Sequence, residues 1–246
     1  MITTQKEEYF YMRYMGSKNR LAKDIVPIIQ SYISGGGASL YIEPFTGGAN
    51  VIDKIQCERR IGYDIEPYVI ATLSALRDGW LPPVDVSEEE YRDVKEHKEK
   101  YPDYFVGYCG YQLSYGGKFF DCYRRDKVGK RNYSREAYNF TLKQVPKLKG
   151  IEFGVKDYRE LEDIEGAVIY CDPPYRNTGK YTAVGSFDHE YFYNWCFKMA
   201  KKNTVLVSEY WLPEGFKEIW SKPVKVCLDS TRSQGLQKIE RLFEVI

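Results

Sequence analysis

Histidine is nearly missing from this chain. His97 and His189 are the only two in 246 residues, and none of the six cysteines stands in a C-x-x-C pair. That inventory argues against a zinc site, which draws on closely spaced Cys and His. Scattered cysteines and a polar N-terminus without an apolar signal core fit a reducing cytosol. No apolar run approaches the ~20 residues that a membrane helix needs. Charge of either sign is not in excess: the formal net charge is +1. The overall balance therefore does not announce a nucleic-acid binder, and the expectation is a soluble intracellular protein. Tyrosine, by contrast, is abundant at 23 residues. It suits binding surfaces and half-buried positions equally, so its abundance alone decides nothing.

The chain reads as strands and helices in alternation around an irregular middle. Leu21, Ile25, Ile28, Ile29 and Ile33 follow helical spacing. Pro27 is expected to kink that helix or mark its start, and Gly35-Gly36-Gly37 to break it. Leu40-Tyr41-Ile42 and Arg60 to Asp64 read as short strands, with a helix predicted from about Ala49 to Cys57 and another through Val69, Leu73 and Leu76. Ser87 followed by three glutamates is a helix start. From about Gly107 to Gly150 no clean period appears. Ala167 to Cys171 is a continuous apolar run, as in a strand buried on both faces. A helix is predicted over Glu190–Lys201 and a strand over Thr204–Ser208. Two further strands follow, near Val224–Leu228 and Arg241–Val245. This alternation predicts an open α/β sheet with an inserted module.

Two segments carry chemistry. Phe45-Thr46-Gly47-Gly48 follows one strand and Asp64 ends the next. A Gly-rich turn admits a ligand to the backbone, and an acid about 20 residues on can bind ribose hydroxyls. The segment is neither a G-x-G-x-x-G fingerprint nor a P-loop. It suits a ligand with ribose and no phosphate, such as S-adenosylmethionine; a plain tight turn accounts for it about as well. The second segment is sharper. Asp172-Pro173-Pro174-Tyr175 ends the apolar strand, since proline cannot continue a ladder. Asp172 and the Pro173 carbonyl are two acceptors, and Tyr175 is an aromatic face. Together they suit a planar substrate bearing an amine. The two acceptors would stabilise charge developing on nitrogen during direct methyl transfer, without a metal.

With both halves present, the chain resembles the Dam-type, alpha-group DNA adenine-N6 methyltransferases. The resemblance rests on Arg13 to Lys18, on Glu43-Pro44-Phe45-Thr46-Gly47-Gly48, on Asp64 and on Asp172 to Tyr175, in the family's order. It implies an α/β, Rossmann-like S-adenosylmethionine-dependent methyltransferase sheet with a reversed last strand and an inserted DNA-recognition module. Residues 1–80 and 151–246 would form the catalytic domain and 81–150 the inserted target-recognition region. Carried over, the catalytic set is Asp172, Pro173, Pro174 and Tyr175. The cofactor set is Tyr14, Gly16, Lys18, Glu43, Pro44, Phe45, Gly47, Asp64 and Asp172. Tyr14 stands where Trp is frequent and Ser17 where Gly is frequent. Gly47-Gly48-Ala49-Asn50 shifts one glycine, which leaves Asn50 without an assigned role. Tyr158 is a weaker candidate for the cofactor-adenine pocket, and an ordinary core position suits it as well.

Residues 116–150 hold ten basic and three acidic side chains, a local balance of +7 against +1 for the whole chain. Such concentration suits phosphate contacts, and the interleaved aromatics suit stacking. Lys118, Arg124, Arg125, Lys130 and Arg131 are the expected DNA contacts. Tyr115-Gly116-Gly117 is a candidate loop near a flipped base, and 177–187 a candidate closing loop. The expected partner is double-stranded DNA in the cytoplasm of a prokaryotic cell or phage-infected host. A cognate restriction endonuclease, a monomeric state and no membrane contact complete the expectation. Cytosine-N4 or RNA amine methylation, or a silent DNA-binding protein of the same fold, are the alternatives.

Overall fold

The computed structural model describes residues 12–126, 128–176, 187–226 and 236–246. The expected leader before Met12 and most of the expected closing loop, 177–186, lie outside the described residues, as does the end of the strand predicted near Val224–Leu228. A seven-stranded sheet forms the frame. Its strands are β1 (Leu40–Glu43), β2 (Arg59–Asp64), β3 (Ile151–Val155), β4 (Ala167–Cys171), β5 (Thr204–Glu209), β6 (Phe216–Val226) and β7 (Leu236–Val245). They lie in the order β3-β2-β1-β4-β5-β7-β6. The first five are mutually parallel, and β7 runs antiparallel to both β5 and β6. This is the Rossmann-like sheet with one reversed strand that the resemblance implied. The chain reverses its winding between β1 and β4, the place where open α/β sheets form a crevice at their carboxyl edge.

Among the described residues the α-helices are α1 (Asn19–Gly36), α2 (Pro67–Arg77), α3 (Glu88–Glu96), α4 (Asp103–Gln112), α5 (Tyr133–Leu148) and α6 (His189–Ala200). Strand alternation assigns each face. Tyr41, Val168 and Leu206 pack with Ile25 and Ile29 of α1, Leu73 of α2 and Leu148 of α5. Ile42, Ile169 and Val205 pack on the other side with Phe192 and Cys196 of α6. A third cluster joins α3 and α4 to Phe120 and Ala137. Among the described residues no helix is long and apolar enough to cross a membrane.

Several local expectations change. The first helix starts at Asn19, so Pro27 is inside it rather than at its start. Burial of Ile25, Ile29 and Ile33, each contributing roughly 1.5–3 kcal/mol, offsets the ~3 kcal/mol cost of an interior proline. The helix also runs through Gly35 and Gly36 and stops at Gly37, whose left-handed φ of 64° caps it. Residues 49–57 form turns and a short 3-10 helix, Ile52–Lys54, instead of an α-helix, because Ala49 takes a positive φ of 56°. The stretch without a period hides α4 and α5. All but two residues of α4 are buried, which erases an amphipathic signal. Ser87 caps α3 as expected, its Oγ accepting the Glu90 N–H at 3.0 Å.

Candidate active site

The site is assembled at the carboxyl edge of β1, β2, β4 and β5. β4 ends at Cys171, and Asp172 to Tyr175 leave the sheet beside the turn that follows β1, since Ile42 and Ile169 are register partners. Two adjacent strands thus deliver the two chemistry-bearing segments to one crevice.

The glycine turn is tightly fitted. Gly47 has a φ of 47°, and a β-carbon there would lie 2.8 Å from the Tyr14 ring. Its N–H donates to Asp64 Oδ2 at 2.9 Å, which ties the β1 turn to the end of β2. The Glu66 N–H donates to the other Asp64 oxygen at 3.1 Å. Burial raises the Asp64 carboxyl to about 6, and these backbone donors pull it back down. Ala49 keeps the left-handed backbone that the second glycine of the family's G-x-G would take so easily. Asn50 now has a role: its Nδ2 donates to the Met12 carbonyl at 3.0 Å and pins the segment that carries Tyr14.

Glu43 is buried beneath that turn. The Tyr41 hydroxyl donates to one carboxyl oxygen at 2.7 Å and Thr46 Oγ1 to the other at 3.3 Å. Burial pushes the Glu43 carboxyl up to about 8, opposed by those two hydroxyls. Pro44 is buried in the same turn. Phe45 packs against Tyr158 at 5.4 Å and Phe192 at 5.7 Å between ring centroids. Tyr158 is itself buried in the α6-side core, the ordinary position that its sequence context allowed.

The opposite wall is an ionic knot. Lys18 Nζ lies 2.7 Å from Asp172 Oδ1, 3.6 Å from Glu240 Oε1 and 4.5 Å from the centroid of the Tyr175 ring. It also donates to the carbonyl of exposed Gly16 at 3.4 Å. Burial raises the Asp172 carboxyl above its ordinary value, and Lys18 draws it back. The Tyr175 hydroxyl donates to Glu240, and its ring meets Tyr210 edge-on at 4.7 Å. Glu209 accepts the Arg176 N–H at 2.9 Å and the Tyr210 N–H at 2.7 Å, fixing the exit of the Asp172–Tyr175 segment to β5. Burial raises Glu209 to about 7, and the two N–H donors oppose that.

The segment around Tyr14 is held from residues 112–144. The Met12 N–H donates to Gln144 Oε1 at 2.7 Å, and Arg13 and Gln112 exchange two hydrogen bonds. The Met15 N–H donates to the Gly117 carbonyl at 3.2 Å. Gly117 must be glycine here: its φ is 68°, and a β-carbon would meet the Tyr14 backbone at 2.9 Å. The Tyr115-Gly116-Gly117 loop therefore sits against the Tyr14 motif, with Tyr115 exposed. The Tyr14 and Tyr111 rings pack with centroids 5.0 Å apart, tilted by 36°.

The five expected DNA contacts divide. Lys118 and Lys130 are exposed. Arg125 is ion-paired with Glu88 at 2.6 Å, and Arg131 makes a two-pronged pair with Glu136. Arg124 lies 4.0 Å over the Tyr133 ring. Partial burial and the nearby Arg13 lower it to about 10, which marks two like charges brought close together. Arg13 was not among the expected contacts, although it precedes the first motif. Glu209, Tyr210, Glu240, Gln112 and Gln144 were also missed. Glu209 ends a parallel strand just as Asp64 and Asp172 lie at strand ends, and that pattern was available in the sequence.

Residues 14–134 match the model of the D12 class N6 adenine-specific DNA methyltransferase. That match spans 121 of the chain's 246 residues. The chain is 22% identical over 200 residues to the Type II methyltransferase M.FokI of Planomicrobium okeanokoites. That match covers 69% of this chain but only 29% of the relative, so the chain spans less than a third of M.FokI. Among solved structures, the rRNA methyltransferase aviRa of Streptomyces viridochromogenes aligns with a TM-score of 0.46 at 12% identity, covering 94% of this chain and 86% of that one. A putative RNA methyltransferase of Pyrococcus horikoshii aligns at 0.43 and 10%, covering 98% and 89%.

Proposed function

We propose that this chain transfers the methyl group of S-adenosylmethionine to N6 of adenine in DNA. The observation that carries the reading is that β1, which leads into the Gly47 turn, pairs with β4, which leads into Asp172, where the sheet reverses its winding. A methyl donor and an amine acceptor must be brought within bonding distance, and adjacent strands deliver a residue set for each.

The residues fit an adenosyl sulfonium. Glycine at 47 keeps a side chain out of the turn, the carboxyls of Asp64 and Asp172 would offer acceptors for hydroxyl or ammonium groups, and Glu43 would support the turn from beneath through Thr46. When bound, the cofactor supplies a methyl group already activated on sulfur. The protein's part is alignment and charge. Asp172 and the Pro173 carbonyl would accept the two amine hydrogens, and the Tyr175 ring would flank the base. Drawing those hydrogens out of conjugation makes the nitrogen lone pair available and stabilises the positive charge that forms on it. The proton lost afterwards leaves through solvent, because the methylated amine is a strong acid before it deprotonates. Adenine in a duplex cannot reach a residue at a sheet edge, so the base would be flipped. Residues 81–150, which place Arg124 over the Tyr133 ring and set the Phe140 ring beneath Arg13, would form the target-recognition region.

Incubation with labelled cofactor, plasmid DNA and, in parallel, a transcript RNA tests the reading. Label recovered as N6-methyladenine from DNA is expected. Asp172→Ala should slow single-turnover transfer by about 100-fold or more, while cofactor affinity falls far less. Label in RNA or on cytosine, or none from the unmodified chain, would overturn it.

A further inference from the structure

Lys18 occupies both positions that the proposed mechanism assigns to the substrate. Its ammonium lies 2.7 Å from Asp172 Oδ1, where an amine hydrogen would be accepted, and 4.5 Å from the Tyr175 ring centroid, where the base would stack. For the target amine to bind, the ammonium must withdraw. It cannot withdraw into apolar surroundings, because an unpaired buried charge is costly. Among the described residues one other carboxylate is ion-paired with it: Glu240 on β7, 3.6 Å from Nζ and 4% exposed. Glu240 also accepts the Tyr175 hydroxyl, so it borders the proposed base position.

Resting on the reading above, we propose that Glu240 is a positioning residue that receives the Lys18 ammonium when the target amine takes Asp172. Glu240 touches neither substrate nor cofactor in this role; it acts through Lys18. The residue keeps the cation inside the site with a partner at each stage. Without its charge, Lys18 loses one of the two carboxylates it pairs with and competes more strongly with the amine for Asp172.

A double-substitution cycle tests this. Glu240→Gln keeps an oxygen for the Tyr175 hydroxyl and removes only the charge. It is expected to slow single-turnover methyl transfer to DNA by about tenfold or more, within the coupling seen for residues sharing one ion-pair network. Cofactor affinity by calorimetry should hold within about twofold. In a Lys18→Met background the same Glu240→Gln change should alter the rate by less than about threefold, since no ammonium remains to be received. Glu240→Asp, which keeps the charge, should retain more of the rate than Glu240→Gln. Equal slowing with and without Lys18, an unchanged rate in Glu240→Gln, or a faster Glu240→Gln than Glu240→Asp would overturn the role. Failure of the unmodified chain to methylate DNA would instead overturn the reading on which it rests.

Discussion

Glu43→Gln removes one buried carboxyl while keeping its shape and both of its hydrogen-bonded neighbours. The amide oxygen can take the Tyr41 hydroxyl, and the amide nitrogen can donate to Thr46 Oγ1. What changes is titration. Glu43 is raised from 4.5 to about 8 in the folded chain, so the folded state holds a proton that the unfolded chain has released. Stability contributed by protonated Glu43 is therefore fully present below pH 4.5 and is lost as the pH rises through about 8. At ~1.36 kcal/mol per pH unit, the loss between pH 5 and pH 8.5 is about 4 kcal/mol. Asp64 and Glu209, raised to about 6 and about 7, lose stability in the same direction. The difference between unmodified and Glu43→Gln protein isolates Glu43 from them. Urea unfolding of both proteins at pH 5 and pH 8.5 is the assay. With a slope of about 2–3 kcal/mol per molar urea, the advantage of Glu43→Gln should grow by about 1.5 M in midpoint between the two pH values. A constant gap between the two midpoints would refute the reasoning, because it would mean that Glu43 ionises as freely in the fold as outside it.

Two further outcomes follow from the geometry. Gly47→Ala should lose about 1–2 kcal/mol from the left-handed backbone alone and more from the 2.8 Å approach to the Tyr14 ring, with weaker cofactor binding; thermal unfolding and calorimetry measure both. Arg124→Ala should weaken DNA binding and lower the slope of log affinity against log salt by about 1, whereas Arg125→Ala, already paired with Glu88, should change that slope by much less; a filter-binding salt series separates them.

The frame was legible because its signals are local. The apolar run 167–171 is buried at all five positions in β4, and the helix start at Ser87 is where its side chain predicts. The two motifs were legible because each ends a strand, and parallel strands bring their carboxyl ends to one edge. Glu240 was not, because its value comes from β7 pairing with β5, a contact between distant segments that no spacing encodes. The partners of the basic segment were hidden for the same reason: Arg125 meets Glu88, 37 positions away, and Arg135 meets Asp85, 50 positions away. The local excess of positive charge is real in sequence and partly cancelled in space. Helix α4 was missed for a different reason, since a helix buried nearly all round has no polar face to reveal its period.

The hydrogen bonds from Gln112 and Gln144 to Met12 and Arg13 have a consequence for transplantation. The stretch from 81 to 150, proposed above as the target-recognition region, would then look exchangeable between relatives. Yet two of its glutamines clamp the segment leading into Tyr14, and its Gly117 carbonyl holds Met15. A foreign segment lacking these three contacts would loosen the proposed methyl-donor side of the protein as well as changing its proposed target. Recombination between such proteins should therefore succeed most often when residues 12–18 travel together with 107–148.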